Sequence, residues 1–277
     1  MNESNKPMTA PYHLAEQVAV ITGAAQGLGL AITQKLASCG ASVVIGDLQE
    51  EKGQAAADSL RQKGFSADAG KLDVADSASV DRFFKNAHTK AGRLDILVTC
   101  AGVGQTVTPT VDLPDKEWQR VIDITLTGVF YCCRSAGRIM EKQERGSIVN
   151  LASINGQNPA ALVMAYNVAK AGVISMTRSL ALELAAYGIR ANAVSPGPVY
   201  TDFNRTLMAQ RCKSLNITEN QMIEKIRAAV PLGRWGKPAD IANAVAFLCS
   251  DEASWMTGEI VRVSGGLEGV SAAPPKR

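Results

Sequence analysis

Between residues 18 and 263, short apolar runs recur with longer segments of helical spacing between them, and few architectures accommodate that rhythm. The runs fall at 18–21, 42–45, 96–98, 147–151, 191–194 and 260–263, and helical spacing is plain at 28–39, 50–63 and 80–91. Strands apolar on both faces belong to a parallel sheet covered by helices on each side. No long Pro/Gly/Ser linker divides the alternation. The expectation is an α/β fold in one domain, a doubly wound parallel sheet of Rossmann type with helices on both faces, over 14–267. Short tails at 1–13 and 268–277 flank it. The segment 202–230 breaks the rhythm: it is long, polar and mildly helical, and it reads as a substrate loop or lid.

Composition removes several function classes. With 46% hydrophobic residues the 277-residue chain is globular rather than disordered. A net charge of +3 without clustered basic residues gives no footprint for nucleic acid. No run approaches the roughly 20 apolar residues that span a bilayer. The polar segment 1–13 has no apolar centre of a signal peptide, so the cytoplasm is the expected location, without a membrane partner. The 6 cysteines lack metal-binding spacing, and His13 and His88 are too few for a His-based triad or metal site. Buried or free thiols and no metal are expected.

After the first apolar run comes Thr22-Gly23-Ala24-Ala25-Gln26-Gly27-Leu28-Gly29, and then a helix pattern. Glycines here permit a tight turn and close approach of a pyrophosphate, and the helix N-terminus offers unpaired N–H groups. The spacing is GxxxGxG. Asp47 ends the second run, where a carboxylate can accept hydrogen bonds from ribose hydroxyls and repel a 2′-phosphate. Gln26 and Leu48 occupy the places where a basic residue could hold that phosphate, and neither is charged. NAD is the expected cofactor. The competing role for Asp47 is a cap on the next helix.

Tyr166 and Lys170 stand at i and i+4 in an alanine-rich helical stretch and share a face. A free tyrosine titrates near 10, and a neighbouring cation is expected to lower that value. Ser153 follows the fifth run, where the sheet edge places ligands, and its hydroxyl could hold a substrate oxygen while Tyr166 exchanges the proton.

These residues together resemble the short-chain dehydrogenase/reductase superfamily, in its single-domain branch, from about Leu14 to Gly266. The likeness rests on the cradle, Asp47, Leu72-Asp73-Val74, Ala101-Gly102, Ser153, Tyr166, Lys170 and Pro196-Gly197 with Thr201. It implies an alcohol/ketone oxidoreductase. Gly23, Gln26, Gly27, Leu28, Gly29, Asp47 and Leu48 would meet the cofactor. Asp73 and Val74 would sit by the adenine, and Ala101 and Gly102 by the adenosine ribose. Lys170 would bond the nicotinamide ribose, while Pro196, Gly197, Val199 and Thr201 would position the nicotinamide.

Three positions depart from the family pattern. Cys100 replaces an Asn after the fourth run, Thr125 replaces an Asn that holds a water near the lysine, and Ser264 replaces an Asp. Thr125 is therefore carried as a catalytic candidate at the end of a proton relay.

Substrate contacts are expected from Gln105, Asn155, Gln157, Met164, Tyr200, Asn204 and Arg205. The neutral amides suit a sugar or polyol, and Arg205 would suit a hydroxy acid. A carbonyl reductase on a hydroxy acid or hydrophobic ketone, or a catalytically weak NAD-binding regulator, are the alternatives. Relatives also assemble, so a homotetramer or dimer through 115–142 and 162–187 is expected.

Overall fold

In the computed structural model, which describes residues 12–269 apart from the side chains at 202, 203, 206, 207 and 214, the apolar runs become parallel strands. The first half contains β1 (Val18–Thr22), α1 (Gly27–Ser38), β2 (Ser42–Asp47), α2 (Glu50–Gln62), β3 (Ala67–Lys71), α3 (Ser77–Ala91) and β4 (Ile96–Thr99). Then come α4 (Asp115–Ile122), α5 (Gly128–Gln143), β5 (Gly146–Leu151), α6 (Ile154–Gln157), α7 (Met164–Leu184) and β6 (Ile189–Pro196). The chain finishes with α8 (Asp202–Leu215), α9 (Glu219–Ala229), α10 (Pro238–Cys249) and β7 (Ile260–Val263).

The 7-stranded sheet has the order β3-β2-β1-β4-β5-β6-β7, with every pairing parallel. The chain reverses direction across the sheet between β1 and β4, and the crevice beyond their carboxyl ends is where such sheets bind ligands. β1, β4 and β5 are buried along their whole length, which is why apolar residues dominate them. One face packs Ile21, Ile45 and Val98 against Ile32 and Leu36 of α1 and Val245 of α10. The other packs Val20, Leu97 and Ile148 against Phe84, Met140 and Val173. Each such side chain contributes about 1.5–3 kcal/mol of transfer free energy.

β3 is the strand that hydrophobic spacing does not reveal. Its Ala-Asp-Ala-Gly-Lys sequence lies at the sheet edge and is only partly buried. α4 and α5 form one continuous helix through a wider π-type turn at Asp123–Thr127. The segment after β6 folds as two helices. Thr201 caps α8 by accepting the Asn204 N–H, Asn216 ends it at φ 51°, and Thr218 and Gln221 form a capping box on α9.

Candidate active site

The turn from β1 into α1 is built for close backbone approach. Gly23 and Gly27 adopt φ of 64° and 60°, a region that side chains disfavour. A Cβ on Gly23 would lie 2.6 Å from the Ala101 Cα, and one on Gly29 would collide with the Gly23 carbonyl. The α1 N-terminus carries no side-chain cap, so its first N–H groups are available to a ligand rather than to Gln26. Thr22 Oγ1 accepts the N–H groups of Cys100 and Ala101 at 3.1 and 3.2 Å, which joins this turn to the end of β4. These features fit a dinucleotide: the backbone of Gly23–Gly29 would hold the pyrophosphate.

Asp47 is buried behind the cradle. One carboxylate oxygen accepts the Ala25 N–H and the other the Gln49 N–H, both at 2.9 Å. The residue thus ties β2 to the glycine turn and also caps the approach to α2. Leu48 beside it is exposed. Asp73 accepts the Ala75 N–H at 3.0 Å, and Val74 is buried against the α5 start at Gly128.

Ser153, Tyr166 and Lys170 converge on one cavity of about 310 Å³ together with the glycine turn. Ser153 is the N-cap of α6, and its Oγ accepts the Asn155 N–H at 3.1 Å, which fixes its direction. Lys170 Nζ donates to the Leu151 carbonyl at 2.6 Å and lies 5.8 Å from the Tyr166 ring centre. Burial pushes the Tyr166 phenol up to about 12, opposed by its hydrogen bond with Ser153. The expectation of a lowered phenol is thereby corrected: taking the anion out of water outweighs its neighbours, and the group is poised as an acid. Burial also lowers Lys170 to about 8.

Thr125 lies in the π-type turn, fully buried. Its hydroxyl donates to the Val103 carbonyl at 3.2 Å and accepts the Val103 N–H at 3.1 Å. The one proton of a hydroxyl is then used, so this side chain can accept from a water but cannot donate to one. A Cβ on Gly102 would stand 3.7 Å from Thr125 Oγ1 and 3.9 Å from Lys170 Nζ, so the two residues flank the same spot. Thr125→Val should leave both Val103 groups unpaired and lower unfolding free energy by about 1–3 kcal/mol in a denaturant titration. Thr125→Ser should stay near wild type. Cys100 is set beside this site, and burial raises its thiol to about 11.

The substrate candidates divide. Asn155 and Asn204 line the cavity, and the Asn204 amide donates to the Val199 carbonyl at 2.6 Å. Gln105 lines it too, but is fully buried. Its amide bonds the Leu162 carbonyl at 3.3 Å and the Ala165 N–H at 2.7 Å, so it braces the start of α7. Gln157 and Met164 are exposed and lie outside the cavity. Tyr200 packs edge-on against Trp235 and bonds Glu219, and Arg205 stands 3.9 Å from Glu219 on the outer side of α8. Their polar ends meet Glu219 at the start of α9. Pro196, Gly197, Val199 and Thr201 line the cavity floor.

Met208, Arg211, Met222, Ile226 and Trp235 also line the cavity and were not expected. The i, i+4, i+7 spacing of Asn204, Met208 and Arg211 was the available signal, since it puts them on one face of α8. Among the described residues no helix is long and apolar enough to cross a membrane.

The family model described as Enoyl-(Acyl carrier protein) reductase matches residues 23–268. The chain is 42% identical over 256 residues to cis-4-hydroxycyclohexanecarboxylate dehydrogenase of Sinomonas cyclohexanicum, covering 92% of this chain and 98% of that protein. It is 39% identical over 258 residues to galactitol 2-dehydrogenase of Rhizobium johnstonii, covering 92% and 96%. The crystal structure of an actinorhodin polyketide ketoreductase with NADPH superposes with a TM-score of 0.87 at 32% identity, over 92% of this chain and 98% of that one.

Proposed function

Because the chain belongs to the short-chain dehydrogenase/reductase family, we propose that it interconverts a secondary alcohol and its ketone with NAD as cofactor. The observation that carries this reading is the convergence of Ser153, Tyr166 and Lys170 with the glycine turn on one cavity. When bound, the nicotinamide supplies or takes up the hydride. Ser153 holds the substrate oxygen, its direction set by the Asn155 N–H. Tyr166, protonated at neutral pH and held further from ionisation by burial, gives its proton to the carbonyl oxygen in reduction and takes it back in oxidation. The Lys170 ammonium, anchored on the Leu151 carbonyl, keeps positive charge beside the phenol as it becomes an anion. Thr125 supports the loop that holds Gly102 against this centre, and Asp47 at the end of β2 supports NAD over NADP.

The pH dependence has a definite sign. Lys170 titrates at about 8, and its charged form exists below that value. Ketone reduction should therefore be level below pH ~8 and fall above it, by up to tenfold per pH unit. A pH–rate profile of kcat/KM with NADH checks this; a rate that climbs through that range would remove Lys170 from the charge-holding role.

A small substrate with an apolar body fits the cavity better than a polyol, because Gln157 lies outside it and the Gln105 amide is already bonded. A polyol is the second reading, supported by Asn155 and by the likeness to a galactitol dehydrogenase. The test is NADH and NADPH formation with a panel of polyols, cyclic secondary alcohols and hydroxy acids. Silence across the panel with tight NADH binding would instead favour a nucleotide-binding regulator.

A further inference from the structure

The helix that carries Tyr166 and Lys170 begins without a cap of its own. Val163 precedes α7 and supplies no side-chain acceptor, so the first N–H groups of the helix need partners from elsewhere. Ala165, the second helical residue, is fully buried, and a buried backbone N–H has to be paired. It donates to Gln105 Oε1 at 2.7 Å, across 60 residues of chain. The cap of α7 thus comes from the loop after β4, and it acts on the residue directly before Tyr166.

The same amide holds the entry to the helix. Gln105 Nε2 donates to the Leu162 carbonyl at 3.3 Å, and the Thr108 N–H donates to that carbonyl at 3.0 Å. Leu162 has a φ of 69°, a region that crowds a side chain and persists only where the surroundings enforce it. Gln105 is itself fully buried, and both of its chain neighbours are clamped. Arg120 donates to the Gly104 carbonyl and Glu117 accepts the Thr106 N–H, both at 2.8 Å. The Arg120 hydrogen bond holds the Glu117 carboxyl down to about 2, so this clip stays charged across neutral pH. Val121 of α4 completes the unit by packing on Ala165 and Ala169, with Tyr166 against the same cluster.

We propose that Gln105 is a positioning residue for Tyr166: its side-chain amide caps α7 from the loop after β4 and fixes the first turn, from which the phenol meets the substrate oxygen. The amide touches no reacting atom and acts only through Ala165 and Leu162. Loss of the Leu162 bond lets a left-handed residue relax, and loss of the Ala165 bond frays the first turn. Both changes move the phenol relative to Ser153, which is anchored separately at the start of α6. A displacement of about 1 Å costs up to about 100-fold in rate. Lys170 lies one turn further along and keeps its own anchor on the Leu151 carbonyl. This inference rests on the oxidoreductase reading above.

The test compares Gln105→Met with Gln143→Met in the full chain. Gln143 makes the same two-bond brace, to the N–H and carbonyl of Leu94, away from the cavity. The reaction is reduction of 4-oxocyclohexanecarboxylate with NADH, or of the ketone of the best panel alcohol where that is faster. Gln105→Met should lower kcat by about tenfold or more while KM for NADH stays within about twofold. Gln143→Met should lose thermal stability but keep kcat. Wild-type kcat in Gln105→Met, equal falls in the two variants, or a loss confined to KM would overturn the proposal and leave the oxidoreductase reading intact. Where Gln105→Met does not fold, Gln105→Glu replaces it. Glutamate keeps the acceptor for Ala165 and loses the donor to Leu162, so kcat should fall by about threefold; an unchanged kcat overturns the proposal. If the wild type reduces none of these ketones, the oxidoreductase reading falls and hydrogen exchange over 160–168 decides the cap. Exchange about tenfold faster in Gln105→Met than in Gln143→Met supports it, and equal exchange overturns it.

Discussion

Replacing Tyr166 with phenylalanine should lower turnover by about a thousandfold or more while NADH affinity stays within about twofold. The ring remains to pack against the small buried cluster of Val121, Ala165 and Ala169, so the shape of the cavity is kept. What disappears is the phenol hydroxyl, together with its hydrogen bond to Ser153. A loss of that size corresponds to about 4 kcal/mol of transition-state stabilisation, more than the roughly 1 kcal/mol net value of a neutral hydrogen bond. A structural role alone therefore cannot produce it. The rival acid is Lys170, whose value near 8 lies closer to neutrality. Its Nζ is held on the Leu151 carbonyl, and its place is beside the ring rather than at the substrate oxygen. Near-wild-type turnover in Tyr166→Phe, with a pH dependence centred near 8, would assign the proton to Lys170 and overturn the mechanism. Stopped-flow reduction with saturating NADH separates the two outcomes, because it reads the chemical step apart from cofactor release.

The residues that sequence spacing located are those whose partners lie nearby in the chain or whose strand is buried on both faces. β1, β4 and β5 are rich in apolar residues because helices cover both sides of the sheet. Tyr166 and Lys170 share a face by helix geometry alone, and Ser153 caps the helix that follows it. The features that escaped depend on distant chain. β3 is an edge strand with polar outer positions, and the amide of Gln105 is consumed by Leu162 and Ala165, far away in sequence. Counting that amide as a substrate donor followed from its residue type, whereas burial decides its use. The π-type turn at Asp123–Thr127 leaves no periodic mark, yet it sets where the Thr125 hydroxyl points. The segment 202–230 was legible as helical, but which of its faces meets the cavity depends on how α8 and α9 fold back. That is why spacing pointed to Arg205, whereas Arg211, two turns further along, lines the cavity.

Exchanging Asp47 for serine and Leu48 for arginine should turn a preference for NAD into one for NADP. In the wild type, we expect kcat/KM to favour NAD by about a hundredfold or more. Two like charges about 5 Å apart at an effective dielectric of about 20 repel by about 3 kcal/mol, and a 2′-phosphate carries more than one charge. The Asp47 carboxylate cannot easily swing away from that encounter, because one oxygen takes the Ala25 N–H and the other the Gln49 N–H. Serine removes the charge, and arginine at the exposed position 48 supplies a planar donor fork for the phosphate. The substitution also releases two backbone N–H groups, so unfolding free energy should drop by about 1–3 kcal/mol even as NADP use improves. Those two effects have different origins and can be read apart, one by kinetics with each cofactor and the other by thermal unfolding of the free protein. If wild-type protein reduces its ketone equally well with NADH and NADPH, Asp47 serves only to tie β2 to the glycine turn. The stability loss would then remain while the cofactor ratio stayed at one. A reversal of the ratio in the double variant, with Tyr166-dependent turnover preserved, would place the choice of cofactor on this pair of residues.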